Sequence, residues 1–145
     1  MSDPKFPRWP NIELVLMHWA IATYPSDFPS FDGRYVGREY PDPLEDVFFR
    51  PRRWPTGGRT KLNDYPMVDI EVLAKTYAEA EALIESIDSD LLGYPLRITV
   101  PTDVTPSGVV VIDHVEQTRA PIPIDFFGDD SIWRFAATYQ FSLRR

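Results

Sequence analysis

A chain of 145 residues, 43% hydrophobic and 26% charged, is long enough for one globular domain, and none of its apolar runs approaches the ~20 residues of a membrane-spanning helix. A net charge of −7 disfavours general nucleic-acid binding, and the absence of cysteine removes disulfides, thiol catalysis and thiolate metal sites. Fifteen prolines, about twice the usual ~5% share, gather before residue 67, near 101–106 and at 121–123, and predict stiff irregular connections there.

The opening "MSDPKFPRWP" lacks an apolar centre, so no secretory leader is expected. In "NIELVLMHWAIAT", Ile12, Val15, Leu16 and Trp19 recur at helical spacing, with Met17 and Ile21 widening the stripe. Pro10 or Asn11 marks the start, Glu13 sits in the first turn where it favours the dipole, and the helix spans about 11–22. An irregular insert follows at about 23–45, rich in proline. "EDVFFRPRRW" predicts a short strand interrupted or ended at Pro51, and about 50–65 reads as a basic loop with a Gly-Gly turn. "YPMVDIEVLAK" alternates Val68, Ile70 and Val72 with Asp69 and Glu71, which predicts a strand.

"TYAEAEALIESIDSDLLGY" is the best helical segment. Thr76 with Glu79 forms a capping box; Ala80, Leu83, Ile84, Ile87 and Leu91 make the buried stripe; Gly93 and Pro95 end it. A proline-rich link holds a short strand at 96–100, "GVVVIDHVEQT" is a strand, and "RAPIPIDFFGDD" is a loop. In "SIWRFAATYQFSLRR", Trp133, Phe135, Ala137, Tyr139, Phe141 and Leu143 share one face, and the even-numbered residues share a wet one. The apolar face is expected to meet the helix at 76–92. The whole predicts one α+β domain over 1–145: an antiparallel or mixed sheet of about four strands, two helices on one face, order α-β-β-α-β-β.

No nucleotide-binding, hydrolase or zincin motif occurs. His18 and His114 have no second ligand at metal-binding spacing, and His114 and Asp113 point to opposite faces of a strand. Asp88/Asp90 and Asp129/Asp130 read as solvated charge. No cofactor, metal or catalytic residue is expected. The one basic cluster is Arg50, Arg52, Arg53, Arg59 and Lys61 around Trp54. It fits three readings: a single-strand nucleic-acid contact, a hairpin loop with snorkelling arginines, or a docking arm for an acidic neighbouring subunit. Phe126 and Phe127, with Trp9, Trp54, Tyr35 and Tyr40, are loop aromatics that fit two readings: anchors of an interface, or side chains folded back on the sheet. Arg144 and Arg145 sit at a sheet edge, able to pair with a neighbour's carboxylates or to keep the edge soluble.

Over about residues 66–145 the chain resembles the tail terminator (tail completion) proteins of long-tailed, lambda-like bacteriophages. The residues that carry the resemblance are "PMVDIEVLAKT", "AEAEALIESID", "VVVIDHVEQTRAPI" and the aromatic closing strand "RFAATYQFSLRR". No single motif is diagnostic, and the insert at 23–45 departs from compact members. The resemblance implies a structural virion protein rather than an enzyme. It implies a homo-hexameric ring at the neck that caps the tail tube, meets the head-side connector, and lets DNA through without sequence-specific binding. An adaptor or stopper of the neck, or a small α+β ligand-binding domain or enzyme, are the alternatives.

Overall fold

The alternating segment at 133–144 forms the central strand of the sheet. The computed structural model describes residues 9–55 and 63–144. In chain order they form α1 (Ile12–Thr23), β1 (Phe48–Arg53), β2 (Asn63–Asp64), β3 (Met67–Ala74), α2 (Tyr77–Leu91), β4 (Leu96–Thr99), β5 (Val109–Ile124) and β6 (Trp133–Arg144). The sheet runs β1-β3-β6-β5-β4, with β2 also pairing β6, and every named pairing is antiparallel.

The α+β class, the antiparallel sheet and the two helices agree with expectation. The strand count and order do not: six strands stand where about four were expected, in the order α-β-β-β-α-β-β-β. The short strand foreseen at 96–100 is β4. β5 runs on through 121–124, a stretch that reads as loop because of Pro121 and Pro123. Beyond Ile112, β5 pairs only with β6, and an edge strand tolerates residues that lack an N–H. β1 likewise continues past Pro51 to Arg53. Phe49 directs its N–H and C=O away from β3, to Tyr35 (2.9 Å) and Gly37 (3.2 Å). Pro51, two residues on, therefore also points its nitrogen away from the ladder. Residues 50–53 of the expected basic loop are thus strand.

The apolar face of β6 meets α2 as its alternation requires. Ala80, Leu83, Ile84, Ile87 and Leu91 are all buried, in one core with Phe135, Ala137, Tyr139, Phe141 and Leu143. Thr76 caps α2, its hydroxyl accepting from the Glu79 N–H at 3.2 Å. Helix α1 joins the same core through Ile12, Val15, Leu16, Met17, Trp19 and Ala20, so both helices cover one face of the sheet. Asn11 is its N-cap, accepting from the Glu13 N–H at 3.0 Å. Glu13 does more than favour the dipole. It is buried, accepts from the Arg53 N–H at 3.0 Å, and pairs with Arg38.

Three register shifts along β5–β6 each insert one extra residue in β5. Such bulges bend a strand and raise its twist, which curls the sheet and interrupts the alternation of burial along β5. The even-numbered face of β6 is also drier than expected: Ala136 and Thr138 are buried, and the Thr138 hydroxyl donates to Asp69 at 2.6 Å.

Asp88 and Asp90 are not merely solvated charge. Tyr139 Oη and Gln117 Nε2 both donate to Asp88 Oδ1 at 2.5 Å, and Tyr24 Oη donates to Asp90. These bonds tie the end of α2 to β5, β6 and the segment after α1. Burial, then the adjacent carboxylate, pushes both phenols above their ordinary range. A raised phenol pKa means that folding favours the neutral form. Its contribution is intact below pH ~10, where an unfolded tyrosine starts to ionise, and is lost as pH rises towards the folded-state value. We expect stability in denaturant titrations to fall above pH ~10, with a shallower slope in the Tyr24→Phe/Tyr139→Phe variant. A wild-type slope no steeper than that of the variant would exclude these phenols as its origin.

Candidate interface: the helix-free face and the hairpin end

The face of the sheet opposite the helices carries six cross-strand rows along β6, four of which bear arginines. Nearest the β5–β6 connection stand Phe48, Leu73, Arg134 and Ile124; next come Arg50, Glu71, Ala136 and Ile122; then Arg52, Asp69, Thr138 and Arg119. At the far end Arg97, Val111 and Arg144 align. The registers place six arginines on one face of a chain whose net charge is −7.

Two of them are neutralised within the first two rows. Glu71, only 5% exposed, accepts from Arg50 Nη1 at 2.9 Å and from Tyr40 Oη at 2.5 Å. Arg134 Nε lies 3.2 Å from Glu71 Oε2, the oxygen that Tyr40 also bonds, as an ion pair without hydrogen-bond alignment. The Tyr40 ring is flanked by the two guanidinium groups, Arg50 at 4.6 Å and Arg134 at 5.9 Å from its centroid. Burial first, then the bond to Glu71, raises the Tyr40 phenol above its ordinary value, so it stays a donor. A buried carboxylate needs such compensation, since desolvating it alone is costly.

This network anchors two connections over the sheet. Leu44 of the 23–45 insert, Phe48 and Leu73 form a small second core against which Tyr40, Phe126 and Ile132 pack. The insert is therefore irregular but not loose: Phe28, Val36 and Leu44 are all buried. At the apex of the β5–β6 connection, Asp129 N donates to Phe126 O at 2.9 Å. The two residues between, Phe127 (φ 51) and Gly128 (φ 77), both have positive φ, as a type I′ turn requires. Phenylalanine in that region costs about 1 kcal/mol. The turn leaves Phe127 74% exposed, its ring edge-on to Phe126 and Tyr40. Ile122, Trp133 and Tyr77 are also exposed at this end, with Trp133 and Tyr77 in edge contact at 5.3 Å. An open cleft of about 600 Å³ is lined by Tyr40, Leu44, Lys75 and Phe127, and one of about 390 Å³ by Ile124, Phe126 and Trp133.

The expected interface residues divide. Arg50 and Arg53 are turned into the chain, Arg50 to Glu71 and Arg53 to the buried Asp64 at 3.3 Å. Opposite charges within the same sheet claimed them before any neighbour could. Arg52 and Trp54 are exposed. Arg59, Lys61 and Arg145 lie outside the described residues. Phe126 is half-buried against Tyr40, while Phe127 is mostly exposed. Arg144 pairs with Asp113 of the adjacent strand at 3.1 Å. Among the loop aromatics, Trp9, Tyr35 and Tyr40 pack against the two cores.

Glu71, Arg97, Arg119 and Arg134 were not legible as parts of a surface. Glu71 reads as the wet side of an alternating strand, and only its pairing with β1 and β6 sets it between two arginines. His18 stacks on Phe31 at 4.7 Å, and His114 packs on Tyr94 at 4.5 Å. Burial lowers the His18 pKa more than Asp103 raises it. Among the described residues, no three histidine or carboxylate side chains gather as a metal site, and no helix is long and apolar enough to cross a membrane. What this arrangement offers chemically is contact: an arginine-bearing sheet face, and an aromatic hairpin end rimmed by carboxylates. Comparison with protein-family models and with curated proteins finds no match to this chain.

Proposed function

We propose that the chain is the tail terminator of a long-tailed bacteriophage: a structural protein, not an enzyme. Six copies form a ring that caps the tail tube, stops its polymerisation and joins the tail to the head-side connector at the neck, with DNA passing through the lumen. The observation that carries the reading is the end of the β5–β6 hairpin, where Phe127, Trp133, Ile122 and Tyr77 stand in solvent. Large aromatics so placed are the usual anchors of protein interfaces. The resemblance over 66–145 supports the choice of assembly, and a chain of net charge −7 suits a passage through which DNA slides without sticking.

Electron microscopy of particles from a phage deleted for this gene tests the reading. We expect tails of excess length beside filled, unattached heads, because nothing then occupies the terminal surface of the tube. Tails of normal length beside empty heads would instead support a stopper or adaptor of the neck. Intact particles with normal tails would remove the protein from the neck altogether.

A further inference from the structure

The rows of the helix-free face leave three arginines without an ion pair among the described residues. Arg52 and Arg119 end the third row, three inter-strand steps or about 14 Å apart, with Asp69 and Thr138 bonded to each other between them. Arg97 stands beyond, on β4. All three are exposed. The opposite sign gathers beyond the first row, at the hairpin end of β5 and β6. Asp125, Asp129 and Asp130 surround Phe127 at the hairpin apex, and Asp42, Glu45 and Asp46 lead into β1 at the same end; all six are exposed. None of the six has an ion pair among the described residues.

We propose that the hairpin apex of one copy docks on the helix-free face of the next, Asp125, Asp129 and Asp130 meeting Arg52 and Arg119, with Arg97 adding to the positive field beyond them. Phe127 lies between the charged pairs as the apolar anchor. The inference rests on the ring reading and names the surfaces that would build it. The two patches differ, so the apex and the face of one copy can engage two different neighbours. Used head-to-tail, such contacts propagate until rotation closes them into a ring, whereas used reciprocally about a twofold axis they stop at a dimer. A polyanion is the other occupant that arginines suggest. It fits less well, because Asp69 and Glu116 share this face and the chain as a whole repels phosphate.

Reversing charge on each surface separately gives the test. One variant carries Arg52→Glu, Arg97→Glu and Arg119→Glu; the other carries Asp125→Lys, Asp129→Lys and Asp130→Lys. Circular dichroism melting first checks that both fold as the wild type does. Sedimentation across a concentration series should show self-association weakened about tenfold or more in each variant alone. It should recover in an equimolar mixture, where every apex again faces a surface of opposite charge.

A wild-type ring indifferent to both reversals, or a mixture that does not recover, overturns this contact while leaving the ring reading standing. A wild-type chain that stays monomeric throughout overturns the contact too, and the tail lengths of the deletion phage then decide the ring reading separately. Binding of wild type to duplex DNA that only the arginine variant loses, with self-association unchanged, would make the face a polyanion surface instead.

Discussion

Replacing Glu71 with alanine is expected to cost about 3–5 kcal/mol of stability, the usual penalty for removing one partner of a buried ion pair. Three groups lose their shared acceptor at once: Arg50, Arg134 and Tyr40 all converge on this carboxylate. Two positive charges would then stand together over the second core. The damage should be local first. Amide exchange is expected to accelerate at Phe126–Ile132 and around Tyr40, which the network holds down, before it does so in α2. Glu71→Gln keeps the shape and two acceptor lone pairs, and should lose less. A midpoint shift in urea corresponding to under ~1 kcal/mol for Glu71→Ala would mean that the site is hydrated enough to dispense with the carboxylate.

Tyr139→Ala should cost as much, about 3–5 kcal/mol, for a different reason. The ring is fully buried at the centre of the main core, between β6 and α2. Its removal leaves a cavity that close-packed neighbours on three elements cannot fill. Its hydroxyl carries a separable part. Tyr139→Phe keeps the ring and removes one of the two donors to Asp88, for which about 1–2 kcal/mol is expected. Chemical denaturation of the two variants separates packing from hydrogen bonding. Equal losses in both would show that the ring contributes little and would overturn its placement at the core.

These two residues illustrate how differently the chain announces itself. Tyr139 lies in a run of strict alternation, and the stripe of α2 repeats at helical spacing, so the burial of both could be read directly. Glu71 alternates as plainly with Val68, Ile70 and Val72, yet its side of the strand is buried too. Alternation says that two faces differ. It does not say that the second one is wet, because that depends on which distant segments lie across it. Here those are the 23–45 insert and the hairpin connection, joined to β3 by contacts with no periodic signature. The prolines misled for a related reason: Pro51, Pro121 and Pro123 break a strand that is paired on both sides, and only the sheet order shows that the stretches holding them are not.

Local chemistry thus determined the α+β class, both helices with their caps and buried stripes, the closing strand and its core face, and the absence of familiar catalytic motifs. These follow from interactions within a few residues, where spacing along the chain equals spacing in space. Tertiary structure alone decided the six-strand order, the bulges that curl β5, the pairing of Arg50, Arg53 and Arg144 inside the chain, and the freedom of Arg52, Arg97 and Arg119. Each of those depends on which strands become neighbours. A cross-strand neighbour, about 5 Å away in space, can be tens of residues away in sequence, as Asp69 and Thr138 are.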